Sequence, residues 1–328
     1  MTKDPAAPLN SIATEQHGIS TFNSRRRPVA LVMGVLNQKS IAWSCVTALL
    51  ERGYHVLMTC QREAQISSIQ QLVTNYHHAR AQGAQQLQSQ LSTTTNSSSS
   101  LVHCVPCDVS CPTQIQQLFQ HHLPNFLQQC SSSCSSYSTP ATDATNTLDT
   151  FIHSIAYAPP TAMKYGTLLH TTQQDFLQTM DVSVYSFLVT SRYAAEFLSS
   201  STLHSNAYHP SIVALTYLGS TRAIPNYNIM GPAKAALEAV VRGLSVELGP
   251  SNIRVNAISS GPINTVAAKG GIRDFAQMRQ NYELHSPLRR NVTNEEVGSF
   301  VSFLATGEGG TSAMTGQTIF LDCGYHIL

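Results

Sequence analysis

Two tyrosines and one lysine have the types and spacing of a proton-donating and cofactor-holding set. Tyr227 precedes Lys234 by seven residues, and Tyr217 lies ten residues before Tyr227. A phenol becomes a useful acid when its pKa is lowered from about 10, and a nearby ammonium lowers it by stabilising the phenolate. Together with a nucleotide-binding signature near the start of the chain, this set predicts reduction with a nicotinamide cofactor.

The spacing of Tyr227 and Lys234 predicts different tasks for the two residues. Seven residues span nearly two turns of an ideal helix, about 10 Å along its axis, which is too far for a direct hydrogen bond. Lys234 is therefore predicted to bind the nicotinamide ribose, while Tyr227 reaches a substrate carbonyl or a shared ribose hydroxyl. The alternative is a pair of unrelated surface residues. Because Pro232 fits only the first turn of a helix, we expect the helix to begin near Gly231, after Tyr227.

Seven predicted strands, with helical segments between most of them, must position these side chains. The strands are predicted at residues 28–35, 55–59, 101–105, 150–154, 211–216, 254–258 and 318–321. The first is a continuous apolar run, which is typical of a strand buried on both faces. Strands that alternate with helices indicate an α/β fold, here a single Rossmann-like doubly wound domain with a seven-stranded parallel sheet.

The chain is predicted to consist of an N-terminal tail, residues 1–27, and one domain, residues 28–328. Two segments, near 82–100 and 130–147, are polar and lack apolar periodicity, which predicts surface insertions or disordered loops. The tail lacks the apolar core of a secretory signal, so we expect a cytoplasmic protein. The arginine cluster at 25–27 keeps import into an organelle as the alternative.

Composition argues against several classes of function. The 328 residues carry a net charge of +1 and only 11% charged side chains, unlike a nucleic-acid-binding protein or a polybasic membrane anchor. No apolar run approaches the roughly 18 residues of a membrane span. The eight cysteines lack the paired spacing of strong zinc sites, so we predict reduced thiols and no metal, with zinc as the less favoured alternative.

A glycine at the end of the first predicted strand is typical of a phosphate-binding turn. Gly34 lets the backbone approach a pyrophosphate, and the helix predicted at 40–52 offers free N–H groups and a positive dipole end. The dinucleotide fingerprint G-x-G-x-x-G is incomplete, because only Gly34 is present. An ordinary strand-to-helix turn therefore stays open as the alternative.

The residues after the second strand bear on the choice between the two nicotinamide cofactors. An acid at that place favours the 2′-hydroxyl of NADH, and an arginine favours the 2′-phosphate of NADPH. Gln61 is neutral, so we favour NADH, while Arg62 keeps NADPH as the alternative. Asp108 is predicted either to accept a hydrogen bond from the adenine amino group or to cap a helix. After the fourth strand, His153 is interpreted as a structural residue rather than an acid.

The tyrosine–lysine set resembles that of the short-chain dehydrogenase/reductase superfamily, and more narrowly its enoyl-acyl-carrier-protein reductase branch. Most of the superfamily uses Tyr-x3-Lys, but the residue four before Lys234 is Met230. The enoyl reductase branch uses Tyr-x6-Lys with an upstream tyrosine, which Tyr217, Tyr227 and Lys234 match. The resemblance covers residues 28–328 without the two insertions. The other segments that match the family's sequence pattern are, in chain order, Gly34 with 40–42, Gln61, 108–109, 153–155, 254–259, 261–263 with Thr265, 286–290 and 316–324.

The resemblance implies a reaction and a partner. A trans-2-enoyl chain, carried as a thioester on acyl carrier protein, is reduced by NADH (NADPH is the alternative) in the last step of the fatty-acid elongation cycle. Tyr227 is expected to stabilise the enolate, Lys234 to hold the cofactor ribose, and Tyr217 to shape the pocket. Members of this branch are usually homotetramers. The alternatives are a carbonyl or 3-ketoacyl reductase of the same superfamily and a catalytically inactive nucleotide-binding protein.

The resemblance also implies which residues form the two halves of the site. The cofactor is expected to contact Gly34, Ser40, Ile41, Gln61, Asp108, Val109, Ser154, Ile155, Ala156, Lys234, Pro262, Ile263 and Thr265. The acyl chain is expected to contact Ala158, Met163, Tyr217, Tyr227, Met230 and Ala267. Residues 266–284 are expected to form a mobile lid over that chain. Two departures are Ala156 in place of a usual glycine and 269–271, which lengthens the lid.

Overall fold

One parallel sheet of seven strands runs through the described chain, which confirms the predicted fold class. The computed structural model describes residues 27–88, 100–132, 147–163, 167–198 and 209–328, and for residues 83–88 it describes the backbone alone. The strands are β1 Val29–Met33, β2 His55–Cys60, β3 Val102–Pro106, β4 Thr150–His153, β5 Ser211–Thr216, β6 Arg254–Ser260 and β7 Thr318–Leu321. The predicted tail lies almost wholly outside the described residues.

The order of the strands opens a crevice at one edge of the sheet. The spatial order is β3-β2-β1-β4-β5-β6-β7, and all neighbouring strands are parallel. The order reverses between β1 and β4, where chain connections leave toward opposite sides. In open α/β sheets, ligands bind outside the carboxyl ends of the strands at such a switch point. The residues that follow β1, β2, β3, β4, β5 and β6 are therefore candidates for one shared site.

Helices cover both faces of the sheet. One face carries α1 Ile41–Glu51, α2 Ile66–Gln88 and α10 Asn294–Thr306. The other carries α3 Pro112–Gln117, α4 Leu123–Ser132, α5 Gln173–Met180, α6 Ser186–Ala195 and α7 Met230–Leu248. One π-helical turn joins α3 to α4 and another joins α5 to α6. Two further helices, α8 Val266–Gly271 and α9 Phe275–His285, follow β6.

The central strand β1 is buried on both faces because successive side chains point to opposite sides of a sheet. Leu31 and Met33 belong to the core under α3, α4, α6 and α7. Ala30 and Val32 belong to the core under α1 and α10. All four side chains are fully buried. The continuous apolar run of the sequence therefore serves two separate cores.

Two helices extend into segments that were predicted to be irregular, and there the prediction is wrong. α2 continues to Gln88 and α4 continues to Ser132, so the polar segments begin later than residues 82 and 130. The end of α2 is rich in Gln, Ala and Leu, which have good helix propensity. The end of α4 instead includes a residue that packs against the core. Cys130 is buried in α4 rather than placed in a loop. The remainder of each predicted insertion, residues 89–99 and 133–146, lies outside the described residues.

The start of α7 agrees with the expectation from Pro232. The helix begins at Met230, so Tyr227 lies in the segment before it. Pro232 is the third residue of the helix, where a missing N–H removes no intrahelical hydrogen bond. The two-turn spacing of an ideal helix therefore does not apply to Tyr227 and Lys234, and no hydrogen bond joins them within the described residues.

Among the described residues, no group of three or more His, Cys, Asp or Glu side chains could hold a metal ion. None of the described helices is long and apolar enough to cross a bilayer.

The turn from β1 into α1 requires a glycine. Gly34 has φ +97°, in the region that favours glycine. A Cβ at this position would lie 2.4 Å from the Ser154 carbonyl oxygen, which follows β4. The Ser154 N–H donates to the Met33 carbonyl at 3.1 Å, so the two strand ends are joined there. Gly34 thus permits the close backbone contact at the floor of the crevice.

We predict that Gly34→Ala destabilises the protein more than Gly53→Ala does. Both glycines have positive φ, +97° and +83°, so each alanine bears a backbone cost of about 1–3 kcal/mol. Only at Gly34 does the new Cβ meet another atom, since nothing lies within 4 Å of it at Gly53. This overpacking should add about 1–3 kcal/mol. Urea denaturation measures both losses in free energy of unfolding, and equal losses would contradict the contact.

Candidate active site

Tyr217 and Tyr227 meet at the carboxyl end of β5. Tyr217 directly follows β5, and Tyr227 lies in the loop before α7. Their ring centroids are 4.7 Å apart with planes at 64°, an edge-to-face arrangement that aromatic pairs favour. Both rings are almost fully buried, with 8% and 7% of their surface exposed. The two tyrosines that the sequence singled out therefore form one aromatic wall.

The loop that carries Tyr227 is held by two asparagines with left-handed backbones. Asn226 and Asn228 have φ values of +63° and +39°, a region that Asn tolerates better than most residues. The Asn228 side-chain amide donates to the carbonyls of Ala162 and Met163, at 3.3 and 3.1 Å. These bonds tie the Tyr227 loop to the segment that follows β4.

Two glycines that the sequence analysis did not single out make room for Tyr227. A Cβ at Gly219 would lie 2.4 Å from the Tyr227 ring, and a Cβ at Gly231 would lie 2.9 Å from the Gly219 carbonyl oxygen. The short turn 218–220 therefore packs directly under the phenol. The only signal in the sequence was position: Gly219 lies two residues after Tyr217, and Gly231 lies four residues after Tyr227.

Lys234 is a buried cation in the first turns of α7. Only 5% of its surface is exposed, and Nζ donates to the Leu215 carbonyl at 2.7 Å. This is the only hydrogen bond that Nζ makes within the described residues, so its other two protons remain available to an acceptor. Burial lowers the pKa of Lys234 to about 8, against the charge of Glu238, which raises it. The group is therefore still mostly an ammonium at neutral pH.

The expectation that a nearby ammonium lowers the pKa of Tyr227 is wrong for this structure. Burial raises the pKa of Tyr227, and Tyr217 and Glu238 raise it further. Burial also raises the pKa of Tyr217, despite an opposing interaction with Tyr282. Desolvation of the phenols is the largest cause of both shifts, and the Lys234 ammonium donates to the Leu215 carbonyl. Tyr227 is a neutral phenol, which suits it to donating a hydrogen bond.

Five of the six predicted substrate contacts come together in a third apolar cluster. Its buried members are Ala162, Met163, Tyr217, Leu218, Tyr227, Ile229, Met230 and Tyr282. Ala158 and Met278 pack against it, and the Tyr217 hydroxyl donates to the Met278 sulfur at 3.5 Å. The sixth predicted contact, Ala267, is exposed on α8 and is not part of this cluster. Tyr282 and Met278 on α9 were not singled out in the sequence.

The predicted lid is largely helical. α8 and α9 occupy most of residues 266–284, and α9 is anchored by its buried Phe275 and Tyr282. Tyr282 stacks on Tyr325 with ring centroids 3.6 Å apart. Thr265 caps α8 by accepting from the Ala268 N–H at 3.0 Å. Movement of this segment stays a prediction.

Most of the residues predicted to contact the cofactor follow the carboxyl ends of the strands. Ser40 immediately precedes α1, and its hydroxyl donates to the Asn37 carbonyl at 2.6 Å, which shapes the turn. Ile41 is the first residue of α1, where backbone N–H groups have no intrahelical acceptor. The remaining contacts follow β4 (Ser154, Ile155, Ala156) and β6 (Pro262, Ile263, Thr265). With the close approach at Gly34, these residues fit an extended dinucleotide.

Gln61 and Asp108 join the ends of β2 and β3. The Gln61 amide donates to Asp108 Oδ2 at 3.1 Å, while Oδ1 accepts from the N–H and hydroxyl of Ser110 at 3.0 and 2.6 Å. Burial opposes ionisation, yet these hydrogen bonds hold the pKa of Asp108 below its ordinary value. The N-cap of α3 is Cys111, so Asp108 is not the helix cap. Val109 next to it is buried.

His153 is a structural residue, as interpreted from the sequence. It is buried in β4, and its Nε2 lies 2.9 Å from the Ser186 hydroxyl. Its ring also contacts those of Phe151 and Phe187. Burial and the charge of Lys234 lower the pKa of His153 to about 3, so the ring stays neutral.

This chain is similar in sequence and in structure to several known proteins. The family described as "Enoyl-(Acyl carrier protein) reductase" matches residues 130–326. The Enterococcus faecalis protein named NADH-dependent enoyl-[acyl-carrier-protein] reductase FabI is 33% identical over 90% of this chain and 96% of its own length. The protein of the same name from a Nostoc species is 35% identical over 91% of this chain and 96% of its own.

Solved structures agree with the sequence relatives. The NADH-dependent enoyl-[acyl-carrier-protein] reductase of Aquifex aeolicus is 29% identical and superposes with a TM-score of 0.72, over 92% of this chain and 98% of that one. The Bacillus cereus enoyl-acyl carrier protein reductase, solved with NADP+ and indole naphthyridinone, is 32% identical with a TM-score of 0.72 over the same shares. With its Tyr217, Tyr227 and Lys234 gathered at the crevice, the chain belongs to the enoyl-acyl-carrier-protein reductase family.

Proposed function

We propose that this protein reduces trans-2-enoyl thioesters carried on acyl carrier protein, in the last step of fatty-acid elongation, with NADH as reductant. The observation that carries the proposal is the aromatic pair Tyr217–Tyr227 beside the buried ammonium of Lys234, at the end of the crevice. Loss of reduced-nicotinamide absorbance with an enoyl thioester tests it. Turnover is expected; reduction of a 3-ketoacyl thioester instead would contradict it.

The buried phenol of Tyr227 has the properties of an enolate stabiliser. NADH, when bound, supplies a hydride to C3 of the acyl chain, and negative charge develops on the thioester oxygen. Tyr227 would donate a hydrogen bond to that oxygen, and in a water-poor pocket such a bond strengthens as charge develops. Its raised pKa keeps the proton on the phenol until the charge forms. The Tyr217 ring packs edge to face against the Tyr227 ring and forms the rest of the aromatic wall.

Lys234 would hold the cofactor ribose. Two of its three ammonium protons have no acceptor among the described residues, and it lies in a crevice whose floor fits a dinucleotide. Ribose hydroxyls are suitable acceptors for such a group. The chemistry therefore assigns binding and orientation to Lys234, and charge stabilisation on the substrate to Tyr227.

The end of the crevice near β2 and β3 favours NADH over NADPH. Gln61 is held by the Asp108 carboxylate, and a 2′-phosphate near it would meet that negative charge. Arg62 is exposed and carries an opposing charge at this position. A kinetic comparison of the two cofactors measures the preference.

The two alternative functions receive less support. A carbonyl or 3-ketoacyl reductase of this superfamily would need a tyrosine where Met230 is buried. A catalytically inactive nucleotide-binding protein would have no need of both Tyr227 and Lys234 in the crevice.

We also propose that the protein is a homotetramer in the cytoplasm. The α5–α6 helix and its π-helical turn expose Phe176, Leu177, Tyr185 and Leu188. Apolar side chains gathered on one element are typical of a surface covered by another subunit. Light scattering of the purified protein should give four times the 35.6 kDa chain mass. Cell fractionation tests the location.

Substitution of Tyr227 and of Lys234 should separate catalysis from cofactor binding. Tyr227→Phe removes one hydrogen-bond donor to the developing oxyanion, which should lower kcat about 100-fold to 1,000-fold with the NADH Kd unchanged. Lys234→Met keeps most of the length of the side chain but removes charged hydrogen bonds, which should weaken NADH binding about 10-fold to 100-fold. Fluorescence titration and steady-state rates measure both. Unchanged NADH affinity in Lys234→Met would overturn the role of Lys234.

Gly219→Ala should damage catalysis without touching substrate. Its Cβ would lie 2.4 Å from the Tyr227 ring and would displace the phenol. A displacement of about 1 Å can lower a rate about 100-fold. Gly243→Ala in α7 is the matched control, because nothing lies within 4 Å of its Cβ. Rates like those of wild type in Gly219→Ala would show that the position of Tyr227 is not critical.

A further inference from the structure

A buried carboxylate lies beside the site and has no part in the proposed chemistry so far. Glu238 follows Lys234 by one helical turn on α7, and only 5% of its surface is exposed. Its Oε1 accepts a hydrogen bond from the Thr216 hydroxyl at 2.7 Å, and Thr216 is buried as well. A carboxylate is costly to bury unless hydrogen bonds and an opposite charge stabilise it.

Lys234 and Glu238 are both pinned to the end of β5. Lys234 donates to the Leu215 carbonyl, and Glu238 accepts from the hydroxyl of the next residue, Thr216. Tyr217 follows directly, so one turn of α7 is fixed against the strand end that presents the aromatic wall. This double attachment sets the height of the ammonium relative to the phenols.

Glu238 acts on Lys234 without a direct ion pair. The two side chains form no salt bridge in the described structure, because Nζ is directed to Leu215 and the carboxylate to Thr216. Glu238 is nevertheless the charge that opposes the burial of Lys234 and raises its pKa. A direct pair would draw the ammonium toward the carboxylate and away from the crevice. The separation leaves its free protons for a ligand.

The other titratable groups around the pair do not supply this negative charge. His153 on β4 is neutral at ordinary pH, and burial keeps the phenols of Tyr217 and Tyr227 protonated. Asp181, in the π-helical turn that packs against α7, is exposed to solvent, which screens its charge from the buried pair. Arg242, two turns beyond Lys234, is exposed.

We propose that Glu238 is a positioning residue for the reductase: fixed by Thr216, its carboxylate keeps the buried Lys234 ammonium charged and free to bind the cofactor ribose. The proposal rests on the proposed function, because it acts through cofactor binding. It gives Thr216 and Glu238 a role that the Tyr-x6-Lys pattern does not contain.

The test is the pH dependence of NADH binding in the wild-type protein and in Glu238→Gln. As the pH rises, Lys234 loses its proton and NADH binding should weaken. The midpoint of this change should lie above the pKa of Lys234 in the free protein, because bound NADH stabilises the ammonium. Glu238→Gln keeps the shape and the acceptor for Thr216 but removes the charge, so the midpoint should move to lower pH. A downward shift of roughly one pKa unit from about 8 should raise the NADH Kd about 2-fold at pH 7 and about 10-fold at pH 9. With saturating NADH, kcat should stay near the wild-type value.

Matched variants separate this role from a structural one. Glu247→Gln makes the same change at an exposed position of α7 and should leave both the midpoint and the NADH Kd unchanged. Glu238→Asp restores the charge and should return the midpoint toward wild type. Thr216→Val removes only the hydroxyl, so it should weaken NADH binding less than Glu238→Gln does.

A double-mutant cycle keeps the proposal testable if Glu238→Gln does not fold. In the Lys234→Met background no ammonium remains for the carboxylate to act on, so adding Glu238→Gln should not change the NADH Kd further. An additional loss there, or a wild-type midpoint in folded Glu238→Gln, would overturn the role of Glu238. Failure of the wild-type protein to bind NADH at all would instead overturn the proposed function.

Discussion

The hydrogen bond from the Lys234 ammonium to the Leu215 carbonyl fixes the geometry on which the site depends. At 2.7 Å it joins the first turns of α7 to the last residues of β5. Because both partners are buried, water cannot replace the bond, and its loss would leave an unpaired charge in a medium of low dielectric constant. The Tyr227 loop directly precedes α7, so this bond, by fixing α7, also helps to fix the position of the Tyr227 phenol.

Burial shifts the pKa of four titratable groups around the site. It lowers the pKa of Lys234 and of His153, and it raises the pKa of Tyr217 and Tyr227. The result is a site with a neutral imidazole, two neutral phenols and one ammonium at pH 7, beside the Glu238 carboxylate that accepts from Thr216. Neutral phenol donors are suited to stabilising an oxyanion that exists only during reaction.

The packing around the phenols explains why small residues surround the site. Because Gly219 and Gly231 have no Cβ, Tyr227 can lie against the turn after β5. Gly34 does the same at the floor of the crevice, where β1 and β4 nearly touch. In each case the backbone itself forms the wall, and a methyl group would displace either a phenol or a strand end.

Much of the fold was predictable because it depends on local patterns. Apolar runs predicted all seven strands, two of them to the residue, and Pro232 correctly predicted that α7 begins after Tyr227. The end of α2 was missed because residues with good helix propensity resemble a loop when only apolar periodicity is considered. The end of α4 was missed because the burial of Cys130 is not visible in the sequence.

The site was predictable in its members but not in its physics. Spacing and family resemblance identified Tyr217, Tyr227 and Lys234, which the structure brings together. Their pKa shifts depend on burial, which the sequence does not report, so the predicted lowering of the Tyr227 pKa was wrong. The partnership of Thr216 with Glu238 joins residues 22 apart and becomes visible only when α7 packs on β5.

The most direct test of the account is the pKa of Lys234 itself, followed by NMR of lysine labelled with ¹³C at Cε and assigned by loss of its signal in Lys234→Met. A titration midpoint near 8 without cofactor, which moves upward when NADH is added, is the result that a buried, ribose-binding ammonium predicts. A midpoint at the ordinary lysine value of about 10.4, unchanged by NADH, would mean that Lys234 is neither desolvated nor in contact with the cofactor.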